Sequence, residues 1–291
     1  IELENHKALA KLVDNRLLVE KLGTLNLPKV EFEKIQIEDG VELDVTIIKP
    51  LNFSPNLKYP ALFQVYGEPF GQVVSDQFGF YELWMMMMVQ KGFVGIVVEG
   101  RGAPVLKGTQ WRKAIHKKIG QLNISDVAKA AKKIIEKGYI DPEKVASWGW
   151  SGGGSTTLNL LFQYPDIFKT GVSIAPVPDQ LLYDNIYQER YMGDPIKNRD
   201  AYVQGSPITH AKNLEGNLLL MHGTGDDNVH YQGTERLINE LVKHNKIFQV
   251  MPYPNRSHGI YEGPNTFKHV FEMSTHFLLE KCPPPKPMKN Q

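Results

Sequence analysis

The chain carries Gly149-Trp150-Ser151-Gly152-Gly153, a G-x-S-x-G sequence that follows the apolar run Val145-Ala146-Ser147-Trp148 and precedes a helix-like stretch. A serine hydroxyl at its ordinary pKa is a weak nucleophile, and it attacks a carbonyl only where a neighbouring base takes its proton. A sharp strand-to-helix turn gives it that exposure, and the glycines two positions to either side leave room for the turn. Downstream, the apolar run Leu218-Leu219-Leu220-Met221 leads into His222-Gly223-Thr224-Gly225-Asp226-Asp227-Asn228. A later short strand leads into Asn255-Arg256-Ser257-His258-Gly259. Serine, acid and histidine in this order, each past the carboxyl end of a strand, supply a nucleophile, an orienting carboxylate and a general base for acyl transfer. Spacing alone leaves Asp226 and Asp227 both open as the carboxylate. A lone histidine in a polar loop would read as surface decoration; its place behind the other two makes His258 the base candidate.

Such a triad needs strands that end together. From residue 59 onward strands and helices alternate, with strands near 61–65, 93–98, 145–148, 171–174, 217–221 and 248–251. Helices fit near 80–91, 124–138, 152–163, 231–244 and 266–281. Before them, 31–37 and 41–48 read as an antiparallel pair flanking the turn Glu38-Asp39-Gly40. Apolar Leu9, Leu12, Val13, Leu17 and Leu18 at helical spacing predict a helix over about residues 5–22. Eight strands with an antiparallel first pair, helices on both faces and this triad order define an α/β-hydrolase sheet, α/β in class and mostly parallel.

Composition agrees with one such domain over 1–291. At 291 residues and 42% hydrophobic content the chain can bury a large single core. A formal net charge of +1 gives no electrostatic pull toward nucleic acid or a membrane surface. The single cysteine, Cys282, cannot close an internal disulfide and has no partner for a zinc or redox motif. No stretch reads as a spanning helix or a signal peptide. Met85, Met86, Met87 and Met88 read as part of a buried helix, in preference to a methionine-lined ligand surface. The proline-rich stretch at 282–291 reads as a terminal tail. The chemistry requires no metal and no cofactor.

The segments Val65-Tyr66-Gly67, Glu99-Gly100-Arg101-Gly102, Gly149-Trp150-Ser151, 183–193 and 222–230 closely resemble the catalytic domain of dipeptidyl peptidase IV-like serine peptidases of the prolyl oligopeptidase family. The resemblance spans nearly the whole chain in order. It implies that Asp226 is the triad acid beside Ser151 and His258. It implies an oxyanion hole made by the Gly152 backbone N–H and the Tyr66 hydroxyl. Asn228 matches the family's ligand for a substrate carbonyl, and Tyr183, Tyr187, Val177 and Val229 match the wall that holds P1, the residue before the scissile bond. The acidic and basic residues of Glu99-Gly100-Arg101-Gly102 are expected to be structural.

The resemblance further implies peptide substrates, a β-propeller domain joined upstream through residues 1–25, and a homodimer contact around 267–279. A periplasmic, secreted or membrane-anchored setting follows from it, with any leader upstream of Ile1. Two departures bear on P1. The family's tyrosine after the serine is Gly152 here, and a tryptophan of the following segment is Gln180; both remove aromatic surface, which predicts a wider pocket with a relaxed proline preference. They favour, as an alternative, an acylaminoacyl peptidase or esterase of the same fold. A non-catalytic binding module is the third reading, and the presence of all three triad residues argues against it.

Overall fold

The computed structural model describes Asn5 and residues 8–285. One eight-stranded sheet runs through it: β1 (Val30–Glu38), β2 (Val41–Ile48), β3 (Tyr59–Gln64), β4 (Val94–Glu99), β5 (Ile140–Trp150), β6 (Thr170–Ile174), β7 (Asn217–Gly223) and β8 (Gln249–Tyr253). The spatial order is β1-β2-β4-β3-β5-β6-β7-β8. β1 and β2 pair antiparallel, as do β2 and β4, and every other neighbour is parallel. The helices are α1 (Arg16–Gly23), α2 (Phe80–Gln90), α3 (Gly108–Lys113), α4 (Leu122–Ile135), α5 (Gly152–Gln163), α6 (Asn185–Met192), α7 (Arg199–Gly205), α8 (Pro207–His210), α9 (Gln232–Lys243) and α10 (Thr266–Lys281).

Side-chain alternation along the strands sets the layers. Ala61 and Phe63 of β3 join a core with Ile124, Val127 and Ala131 of α4 and with Leu158 and Phe162 of α5, while Leu62 between them joins Trp84, Met85 and Met88 of α2. Leu218 and Leu220 of β7 divide from Leu219 and Met221 in the same way, the second pair meeting Val270, Phe271 and Leu278 of α10. Successive strand residues point to opposite faces, so strands covered on both faces read as unbroken apolar runs. Met85, Met86 and Met88 are buried, as the sequence suggested for the methionine run.

Besides the short α3, three features differ from the sequence expectation. The N-terminal helix occupies only Arg16–Gly23: Asp14 Oδ1 accepts the Arg16 N–H at 2.9 Å just before it, and residues 8–15 are not helical. Leu9, Leu12 and Val13 are exposed, so their helical spacing meets no surface that would hold that turn. Residues 6 and 7 of the predicted helix lie outside the described residues, as do 286–291 of the predicted tail. Between β6 and β7 the chain adds α6, α7 and α8, short helices that no long apolar period announces. β5 runs longer than expected at both ends.

Glu99 and Arg101 serve the scaffold. Glu99 Oε2 accepts the backbone N–H groups of Val73 and Val74 at 2.6 and 2.9 Å, which folds the loop after β3 back onto β4. Arg101 clamps the buried Asp126 of α4 through Nε and Nη2, and its Nη1 reaches Glu38 at 2.9 Å.

Candidate active site

Ser151 stands between β5 and α5 with φ 57° and ψ −121°, a left-handed conformation rare for a residue with a side chain. It is held there from both sides. Its N–H donates to Ile174 O at the end of β6 (2.8 Å), and its carbonyl accepts the Ser155 N–H one turn into α5 (3.0 Å). The neighbouring glycines are steric requirements. A Cβ at Gly149 would lie 2.2 Å from Gly153 O, and one at Gly153 would lie 2.3 Å from Val65 O, so the turn closes only without side chains there.

The carboxylate and imidazole meet across the loops that follow β7 and β8. His258 Nδ1 lies 2.7 Å from Asp226 Oδ2. The other oxygen, Oδ1, accepts the N–H groups of Asn228 and Val229 at 2.9 and 2.8 Å. A second histidine shares Oδ2: buried His222 places Nε2 2.9 Å from it and 3.0 Å from Val229 O. Both of those atoms are acceptors, so Nε2 carries the proton, and Nδ1 is left to pair with the Thr234 hydroxyl at 2.7 Å. Burial would raise the Asp226 pKa, but hydrogen bonds from His222, His258 and the Asn228 N–H outweigh it and hold the carboxyl well below the usual aspartate range. Among the described residues Asp227 accepts only the His258 N–H, at 3.4 Å. The two loops are stitched together by Gly225 N–H to Arg256 O (3.1 Å) and by the Asn255 N–H to the Thr224 hydroxyl (2.9 Å). Trp150, beside the serine, ties the elbow to the same loop by donating Nε1–H to His258 O at 2.9 Å.

A cavity of about 220 Å³ opens over these groups, lined among others by Ser151, His258, Tyr66, Gly152, Val177, Tyr183, Tyr187 and Asn228. Among the described residues no hydrogen bond joins Ser151 Oγ to His258; such bonds commonly tighten only when substrate is present. Tyr66 follows β3, and the Thr156 hydroxyl of α5 anchors its carbonyl at 2.7 Å, which fixes it beside the start of that helix. Burial, and then the charges of Glu68 and Tyr183, push the Tyr66 phenol far above its ordinary range, so the hydroxyl stays protonated and able to donate. The Asp184 side chain caps α6 by accepting the Tyr187 N–H at 2.9 Å, and the rings of Tyr183 and Tyr187 meet edge to face at 5.5 Å. The Tyr183 hydroxyl donates to Asn228 Oδ1 at 2.9 Å.

All but two of the expected site residues thus line one cavity, and Asp226, one of the two, lies buried behind His258. Val229 does not line it: its side chain is buried, and its backbone serves Asp226 and His222. Sequence reasoning missed Glu68 and Gln188, which do line it, and passed over His222. The prediction of a wider pocket at Gly152 and Gln180 is corrected by what fills the space. A Cβ at Gly152 would lie 2.2 Å from Cγ of Glu68, and Gln180 accepts a hydrogen bond from Gln188 Nε2. The one signal in the sequence was an acid, Glu68, two residues past the strand-end tyrosine.

Comparison with known proteins adds the lineage. The family model for the prolyl oligopeptidase family matches residues 79–283. The chain is 36% identical over 273 residues to prolyl endopeptidase FAP of Mus musculus, covering 92% of this chain and 35% of that protein. It is 37% identical over 243 residues to dipeptidyl peptidase 4 of Trichophyton equinum, covering 82% and 31%. Among solved structures, Porphyromonas gingivalis dipeptidyl peptidase 4 superposes with a TM-score of 0.90 at 37% identity over 94% of this chain and 38% of that one. This chain therefore spans about a third of the length of the curated relatives it matches. An eight-stranded sheet with this order, an elbow at Ser151 and a match over most of its length place the chain in the prolyl oligopeptidase family of serine peptidases.

Proposed function

We propose that this chain is the catalytic domain of a dipeptidyl-peptidase-like serine peptidase that cleaves near the N-terminus of peptides through an acyl-enzyme. The observation that carries the reading is the 2.7 Å pair of His258 Nδ1 and Asp226 Oδ2, facing the same cavity as a serine held at φ 57°. In this reading His258 Nε2 removes the Ser151 proton as Oγ attacks the carbonyl carbon of P1. The Gly152 N–H and the Tyr66 hydroxyl stabilise the oxyanion of the tetrahedral intermediate. His258 then returns the proton to the departing amine, and the same groups direct water onto the acyl-serine. Asp226 stays ionised throughout, fixing the imidazole tautomer and stabilising its cation. Asn228 is placed to hold a substrate carbonyl, and Tyr183, Tyr187 and Val177 form the wall around P1.

Capture of the substrate's free α-amine belongs, in this reading, to a β-propeller of the same protein beyond this chain. The reading also places the whole protein in the periplasm or at the cell exterior, secreted or anchored; none of the described helices is long and apolar enough to cross a membrane. The test uses the full-length protein. A fluorophosphonate probe labels it, and Ser151→Ala abolishes labelling. Dipeptidyl anilides with a free amine are hydrolysed, and their N-acetyl forms are not. Equal turnover of the acetylated forms would replace this reading with the acylaminoacyl peptidase alternative.

A further inference from the structure

The P1 side of the cavity contains a carboxyl group that the steps above do not use. Glu68 is 8% exposed, and its stem lies against the Cα of Gly152, where no side chain of any size fits beside it. Its Oε2 accepts the Tyr187 hydroxyl at 2.5 Å, and among the described residues no cation pairs with it. Beside it sit two more polar side chains, Gln180 and Gln188, 2% and 3% exposed. Gln188 gives its Nε2–H to Gln180 Oε1 and is left with a buried Oε1 that has no partner among the described residues. Buried polar groups of native proteins are ordinarily satisfied, and an orphan acceptor lining a cavity is open to a donor brought by a ligand. Glu68, Gln180, Gln188 and Tyr187 all line the cavity that holds Ser151.

We propose that Glu68, with Gln180 and Gln188, makes the P1 pocket selective for residues whose side chain carries a hydrogen-bond donor, a hydroxyl, amide or amine, over proline and other apolar residues. The inference rests on the function proposed above. Its logic is that of any site built to bond a polar group: an apolar side chain of the same shape enters the pocket, but it strips water from the acceptors and gives them nothing in return. A hydroxyl or amide donor satisfies them. Tyr187 presents its hydroxyl to Glu68, so the ring contributes a face to P1 while the polar edge belongs to the carboxyl.

The test compares kcat/KM of the full-length protein on free-amine dipeptidyl anilides that differ only at P1 in matched shapes, Thr against Val and Gln against Met. The expected result is a preference of about 10-fold or more for the donor-bearing member of each pair. Glu68→Met is expected to bring each ratio to within about two-fold of unity by removing the acceptor while keeping the length of the side chain. Equal or better cleavage of the Val and Met substrates by the wild-type protein, with Ser151 labelled by fluorophosphonate, overturns the inference and leaves the peptidase reading standing. Loss of Ser151-dependent labelling in folded protein removes both. The wild-type comparison needs no variant, so a poorly folded Glu68→Met protein does not weaken the test.

Discussion

The two sides of the cavity are built on opposite principles. On the Asp226–His258 side the carboxylate is fully answered: four donors surround it, His222 is fixed from both ring nitrogens, and two loops are cross-linked by backbone hydrogen bonds. On the Glu68–Gln188 side a carboxyl group sits buried with one hydroxyl for company, and an amide oxygen has no partner among the described residues. The difference separates machinery that must hold one geometry through a reaction from a surface that has yet to receive its partner. Preorganised donors lower a barrier because nothing has to move when charge develops. A recognition surface gains discrimination by leaving groups that only the right ligand completes.

The largest effect is expected where satisfaction is most complete. Asp226→Asn cannot fit the donors around it. With its amide oxygen toward the two histidines, its NH2 faces the N–H groups of Asn228 and Val229; turned over, the NH2 faces His222 and His258. We expect kcat to fall by about 10⁴-fold with KM little changed, because the imidazole loses its tautomer and its counter-charge. Steady-state kinetics on a free-amine dipeptidyl anilide measure it, and a loss under ten-fold would mean that Asp226 does not orient His258. Tyr66 stands where the two sides meet, its ring edge-to-face with Phe70 at 5.6 Å and its hydroxyl held protonated. Tyr66→Phe removes one oxyanion donor with little change in packing and is expected to cost about 100- to 1,000-fold in kcat. A rise in KM alone, with kcat intact, would instead place the hydroxyl on the recognition side.

The same division decided what the sequence could reveal. Ser151, the Asp226-Asp227 pair and His258 were legible because each follows an apolar strand, and strand ends in a parallel sheet share one edge by topology; the choice of Asp226 came from the family resemblance. His222 was hidden inside its strand: a histidine in an apolar run gives no sign of which nitrogen it offers or to whom. Residues 8–15 were over-read, since spacing records a periodic apolar face and not the surface needed to hold it. Glu68 escaped for a different reason. Gly152 announces a missing side chain, but which residue enters the gap depends on the path of the loop after β3, and that path is fixed by remote contacts such as Glu99 on the N–H groups of Val73 and Val74 and Thr156 on the Tyr66 carbonyl.

The unsatisfied side also carries a stability cost with a definite pH signature, the smallest of these effects. Burial pushes the Glu68 carboxyl up to about 7 against the lowering influence of the Tyr187 hydroxyl, from an ordinary value of 4.5. The folded protein therefore holds this proton more tightly than the unfolded chain does, and stability falls as pH rises from about 4.5 to about 7, flattening beyond both limits. A shift of that size corresponds to at most about 3 kcal/mol across the window. Glu99, also pushed by burial up to about 7, titrates over the same range, so a wild-type pH profile alone would mix the two. The difference between wild type and Glu68→Gln isolates the first: the amide keeps the shape and can still accept the Tyr187 hydroxyl, while Glu99 contributes equally to both proteins. Denaturant unfolding at a series of pH values should show the variant gaining on the wild type as pH rises from 5 to 7 and holding a constant lead above it. A gap independent of pH would mean that Glu68 is ionised in the folded protein throughout, and the pocket would then be satisfied by solvent and would share the completeness of the triad side.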